Sequence, residues 1–206
     1  MEDKNVNGRL EAFCDGVFAI ALTLLIIDIK ISSTQEITTS ADLWKALQHL
    51  TPNIFAFLVS FIVIFITWVN HHAGLKLVNK SSTHFVYANG LLLLSVVFVP
   101  FPTSLLGEFV LTDHAAPAVV LYSGVFALQA VGWILMCRAT INPAYPLARN
   151  EKGIQSTRES LIKGYYALVF YSLCSIVAFW FPLIVAIVVA ISWVVWLISS
   201  IIVKLE

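Results

Sequence analysis

Residues 161–203 read LIKGYYALVFYSLCSIVAFWFPLIVAIVVAISWVVWLISSIIV, an apolar run with Pro182 near its centre. One bilayer crossing takes about 20 predominantly apolar residues, and this run is about twice that length. Pro182 cannot continue a helix without kinking it, and Trp180, Phe181 and Pro182 suit a tight turn carrying an interfacial aromatic. The run therefore divides into two spans, Leu161–Trp180 and Pro182–Val203. A single long helix there would place the C-terminus on the opposite side of the membrane.

The same length rule, applied toward the N-terminus, gives four more candidates: Phe13–Ile31, Pro52–Val69, Phe85–Leu106 and Ala115–Cys137. The expectation is an all-α integral membrane protein, one six-helix transmembrane domain over residues 1–206. Composition agrees. Of 206 residues, 59% are apolar and 12% charged, with a mean hydropathy of +0.89. Soluble domains keep roughly a quarter of their residues charged, so this inventory cannot furnish an ordinary water-exposed surface. The longest polar segment, Arg138–Ser160, is too short to bury a core of its own. Basic and acidic residues balance at 12 each, which leaves no electrostatic footprint for nucleic acid.

Lys and Arg positions test the topology. Six spans put the N-terminus, loops 70–84 and 138–160, and the C-terminus on one side. Lys4, Arg9, Lys76, Lys80, Arg138, Arg149, Lys152, Arg158, Lys163 and Lys204 all fall there, against Lys30 and Lys45 opposite. That asymmetry places both termini in the cytoplasm. The first apolar run ends without a small-residue cleavage site, so it reads as retained rather than removed. Of the other-side loops only Ser32–Thr51 is long, with room for a small amphipathic turn around Leu43, Trp44 and Leu47.

Cys14, Cys137 and Cys174 are odd in number and match neither a disulfide framework nor a zinc pattern; they read as buried thiols. His71 and His72 are neighbours, about 100° apart on a helix, whereas shared metal ligation wants i, i+4 spacing. No carboxylate or thiol completes a set with His49, His84 or His114, so no metal site is expected. Paired nucleophile and base, or paired carboxylates within spans, are also missing, which argues against an enzyme.

The first span differs from the rest. It carries Arg9, Asp15, Asp28 and Lys30 among apolar residues, and ionisable groups near a membrane span face protein or water. Arg9 and Asp15 lie about 240° apart round a helix, so each needs its own partner. Asp28 and Lys30 can reach the far interface. Between these ends, Ile20, Thr23, Leu24 and Ile27 have the i, i+3, i+4, i+7 spacing of one stripe, which Gly16 and Ile31 extend. By spacing alone, that stripe reads as an ordinary packing face, since every apolar span offers such stripes.

Arg9, Phe13, Asp15 and Gly16, followed by Ile20, Thr23 and Leu24, resemble the signature of the endo-lysosomal potassium channel family (transmembrane protein 175) and its prokaryotic homologues. The family pattern Arg-x-x-x-Phe-Ser-Asp is matched except at Cys14, where serine is usual. Trp68, His71 and His72 resemble the family's Trp-x-x-His-His end of the second helix; Asn89 and Pro100 to Thr103 also fit. No second copy of the motif occurs downstream, as in the single-repeat prokaryotic form, in which four subunits surround one pore.

The resemblance implies that the first helix lines the pore of a potassium-permeable homotetramer in the prokaryotic plasma membrane. Ile20 would form the narrowest hydrophobic ring, Leu24 and Ile27 further rings, and Thr23 a ring of hydroxyls tied to potassium preference. Arg9, Phe13, Asp15, Trp68, His71, His72 and Asn89 would form a structural polar network, with Arg9 and Asp15 partnered among His71, His72 and Asn89. No cofactor is implied; the permeant potassium ion, the lipid bilayer and further copies of the chain are the partners. No Thr-Val-Gly-Tyr-Gly loop offers filter carbonyls, so a hydrophobic constriction would gate by dewetting and discriminate modestly among cations. A proton- or cation-coupled secondary transporter and a non-conducting scaffold remain the other readings. Against the transporter, no Gly/Pro-interrupted segment in the second half matches Pro100 and Pro102.

Overall fold

The computed structural model describes residues 7–31 and 37–202, with side chains as far as Ile198. It is helical: α1 Gly8–Leu24, α2 Ser40–His49, α3 Thr51–Lys76, α4 Thr83–Phe98, α5 Pro100–Phe109, α6 Ala115–Thr140, α7 Glu151–Val177 and α8 Pro182–Ile202. Among the described residues, four stretches are long and apolar enough to cross a membrane: α3, the α4–α5 run Thr83–Phe109, α6 and α7. The Pro182–Ile198 part of α8 is a shorter apolar helix. Lys4 and Lys204, counted in the charge asymmetry, and Val203, the expected end of the sixth span, lie outside the described residues, as do 32–36.

The helix breaks just before Pro182. α7 ends at Val177, and Phe181 accepts the first bond of α8 from Val185 N–H at 3.1 Å. Other boundaries move. The first helix stops at Leu24 rather than Ile31, because the backbone there tightens into turns: Ile27 N–H donates to Leu24 C=O (3.1 Å) and Ile29 N–H to Ile26 C=O (3.2 Å). These are i→i+3 bonds of the kind that close a helix end. α7 begins ten residues before Leu161, where Asn150 caps it by accepting from Gly153 N–H at 2.8 Å. Polar residues can extend a helix past the apolar segment, which hydropathy cannot register. For the same reason α3 runs on to Lys76 and carries His71 and His72 within it.

Pro100 and Pro102 divide the Thr83–Phe109 run into α4 and α5 without turning it aside. Val99 keeps helical angles (φ −51°, ψ −42°), and Thr103 restores the ladder by donating to Val99 C=O at 3.1 Å. Proline at the first position of α5 has no N–H to lose, which makes the break cheap.

α6 is the central helix, packed against α4, α5, α7 and α8, while α1 lies across α3 and α4. Phe126 of α6 holds the middle of the core, with Tyr122, Trp193 and Tyr171 at ring distances of 4.9, 5.1 and 5.4 Å. Where α6 crosses α4 the backbones nearly touch. A Cβ at Gly132 would stand 2.8 Å from Leu92 N and 2.9 Å from Leu92 Cα. Small residues at such crossings permit close helix approach in membrane proteins. Buried hydroxyls add polar ties between helices: Thr103 donates to Ser60 Oγ (2.7 Å), itself 2.9 Å from Tyr122 OH.

At one end of the bundle the connections are stitched together. Val78 and Ala148 form an antiparallel bridge, through Asn79 N–H to Leu147 C=O (2.8 Å) and Arg149 N–H to Leu77 C=O (2.9 Å). The buried side chain of Asn7 donates to Val78 C=O at 3.2 Å, tying the start of α1 to the same seam.

Candidate functional site

α1 has two faces. Cys14, Phe18 and Ala21, with Leu25 just past the helix end, are buried against α3 and α4, a stripe with the period of a helix. On the other side Ile20 is 58%, Leu24 36% and Ile27 53% exposed, and Thr23 is exposed with them. Ile27 belongs to the turn after the helix, not to the helix itself. The Thr23 hydroxyl donates to Ile20 C=O at 2.9 Å. Its proton is therefore committed inward, and the oxygen lone pairs remain available as acceptors.

The buried side of α1 is held by a polar ladder. Trp68 Nε1 donates to Asp15 Oδ1 at 2.8 Å. One turn further, His72 Nδ1 lies 3.2 Å from Glu11 Oε1, an ion-pair distance without hydrogen-bond alignment. Asp15 and Glu11 are four apart on α1, Trp68 and His72 four apart on α3, so two antiparallel helices meet rung for rung. The indole and imidazole rings of Trp68 and His72 stack at 5.9 Å.

The ladder continues to α4. His71 Nε2 is 2.7 Å from Asn89 Oδ1, and in this amide orientation Nε2 carries the proton and donates. Asn89 Nδ2 in turn donates to Cys14 Sγ at 3.1 Å. The thiol thus fills the place where the family pattern has serine, as a weak acceptor at the centre of a three-helix junction. Phe18 covers the far side of His71, with ring centroids 5.3 Å apart.

The structure therefore brings together Asp15, Trp68, His71, His72 and Asn89, and leaves two expected members out. Arg9 is exposed and makes no hydrogen bond or ion pair among the described residues, so its expected partner among His71, His72 and Asn89 is not there. Helix geometry explains it: with Asp15 turned to Trp68, a residue about 240° away faces outward. Asp15 also binds an indole rather than a histidine. Phe13 is 62% exposed and packs in no part of the ladder. Sequence reasoning missed Glu11, Asn7 and Phe18. The available signal was the i, i+4 spacing of Glu11 to Asp15 against Trp68 to His72, which matches two helix faces directly.

Trp68→Phe keeps the ring and removes the donor to Asp15. Hydrogen bonds to charged groups contribute about 1.5–3 kcal/mol, so a clear drop in melting temperature in detergent is expected. An unchanged melting temperature would mean that water replaces the indole at no cost.

Comparisons with known proteins bear on this site. Residues 9–100 match the family described as endosomal/lysosomal potassium channel TMEM175. A potassium channel of Chamaesiphon minutus is 45% identical over 129 residues, 63% of this chain and 63% of its own length. One of Streptomyces collinus is 43% identical over 137 residues, covering 64% and 65% respectively. The aligned parts thus span just under two thirds of these two relatives. The crystal structure of a lysosomal potassium-selective channel TMEM175 homolog from Chamaesiphon minutus superposes with a TM-score of 0.74 at 36% identity, over 92% of this chain and 96% of that one.

Proposed function

The chain belongs to the endosomal/lysosomal potassium channel TMEM175 family, and on that premise we propose that it is the subunit of a potassium-permeable cation channel whose path is lined by α1. The observation that carries this reading is the bare stripe of Ile20, Thr23 and Leu24 on α1, continued by Ile27 in the turn after it, on a helix whose opposite face is fixed by the polar ladder. A helix held by several polar ties on one side presents its other side at a set distance and angle, as a pore lining requires.

In this proposal the chain is one domain of six membrane-crossing helices, α1, α3, α4–α5, α6, α7 and α8. Four copies surround the pore, with the termini in the cytoplasm of a prokaryotic plasma membrane. Ile20 forms the narrow ring, Leu24 and Ile27 further rings, and Thr23 a ring of hydroxyl oxygens able to meet a partly dehydrated cation. Asp15, Trp68, His71, His72 and Asn89 hold α1 in place and do not contact the ion. Conduction needs no cofactor. A hydrophobic ring excludes water until it widens, and it ranks cations by hydration cost rather than by carbonyl coordination.

The test is potassium flux from liposomes containing the purified chain, followed by current recording across a potassium gradient. Current reversing at the potassium equilibrium potential supports a channel. Flux tied stoichiometrically to protons would replace it with the coupled transporter. Absence of flux from well-folded protein at several pH values would leave a scaffold.

A further inference from the structure

Among the described residues, α2 is the one helix that buries none in the subunit, yet it is built to be a helix. Thr39 Oγ1 accepts from Asp42 N–H (3.2 Å) while Asp42 Oδ2 accepts from Thr39 N–H (2.9 Å), a reciprocal cap. Hydrogen bonds from Thr39 and Thr38 hold the Asp42 carboxyl below the usual carboxylate range. Round the helix, Leu43, Trp44, Ala46, Leu47 and Leu50 share one side, and Asp42, Lys45, Gln48 and His49 the other. The apolar side has no cover: Leu43 is 40%, Trp44 66% and Leu47 39% exposed.

The position of α2 says what covers it. Leu50 closes α2 and opens α3, so no linker separates this helix from a segment that is long and apolar enough to cross a membrane. The next exposed apolar side chains along the chain are Ile54, Phe55 and Leu58. Ten residues rise only about 15 Å, half a bilayer core. An apolar face edged by tryptophan, a charged opposite face and attachment to the end of a span are the features of a helix lying in the membrane surface. Three large side chains on one short helix offer much less than the about 800 Å² per partner that stable interfaces bury, so this face could not hold a second copy by itself.

We infer that α2 is an interfacial anchor, lying along the bilayer surface at the start of α3 with Leu43, Trp44 and Leu47 among the lipid and Lys45, Gln48 and His49 toward water. The inference rests on α3 crossing the membrane and on nothing about conduction.

The test uses the full chain in phospholipid vesicles, with a nitroxide placed in turn at Leu47→Cys, Lys45→Cys and Val169→Cys; the three native cysteines are buried. Val169, exposed on α7, is the reference for a side chain on a spanning helix. Accessibility is read from collisions with oxygen, which concentrates in lipid, and with a water-soluble nickel chelate. The expected result is an oxygen-to-nickel ratio several-fold higher at position 47 than at 45. Equal, nickel-dominated ratios at both positions would put α2 in water and overturn the inference. A label at 47 shielded from both reagents, with spin–spin broadening relieved by unlabelled protein, would assign the face to a second copy and overturn it too. A nickel-dominated ratio at Val169 would instead bring down the membrane-spanning reading, and the anchor with it.

Discussion

Ile20→Asn is expected to raise potassium flux roughly tenfold in the liposome assay. If four Ile20 side chains form the narrowest ring, the barrier there is the cost of wetting an apolar constriction. Asparagine is smaller than isoleucine and offers an amide to water on every subunit, so the ring is both wider and wetter. A barrier lowered by only about 1.4 kcal/mol already gives a tenfold rate, and a ring of four amides acts at one point. The fold should tolerate the change, because Ile20 is more than half exposed in the subunit and lies opposite the buried stripe of Cys14, Phe18 and Ala21. Flux that stays at the wild-type level, with melting temperature and oligomer size unaltered, would keep a transport protein but move its path off α1.

Gly132→Leu should give no monodisperse protein, and Gly132→Ala a protein with a sharply reduced melting temperature. The Cβ that alanine adds would stand 2.8 Å from Leu92 N and 2.9 Å from Leu92 Cα. Both are backbone atoms in the interior of α4, so no rotamer change relieves the contact. α4 and α6 must move apart, and overpacking a tight core costs typically 1–3 kcal/mol for small insertions and more for large ones. The displacement would also reach the site, since α4 carries Asn89, which bonds both His71 and Cys14. Gly90→Ala is the control: nothing lies within 4 Å of a Cβ there, and replacing a helical glycine favours the helix by about 0.5–1 kcal/mol. A Gly132→Ala protein as stable as Gly90→Ala would refute the close crossing.

Much of the architecture was legible because hydropathy and length are local properties. The apolar runs that become α3, α4–α5, α6 and α7, and the break at Pro182, follow from composition and from the missing proline N–H. Helix ends were not, since polar residues such as Glu151 to Ser160 extend α7 at no hydropathy signal. The candidate site divides the same way. Asp15 stands out in the chain as an ionisable residue near a span; Trp68, His71, His72 and Asn89 were reached through the family resemblance, which also drew in Arg9 and Phe13, and these two face outward.

The sequence by itself determined that the chain is built of apolar helices, how they are separated, and that Ile20, Thr23 and Leu24 share one stripe of α1, because each depends only on residue type and periodicity. That Ile27 falls in the turn after the helix was not legible there. Tertiary structure alone decided which side of α1 is buried, that an indole rather than a histidine meets Asp15, and that Cys14 accepts from Asn89 across 75 positions of chain. A helix wheel fixes angles between side chains but not the rotation of the helix against its neighbours. That rotation is set by α1, α3 and α4 packing together, where the polar ladder and the Phe18–His71 contact are satisfied in one orientation.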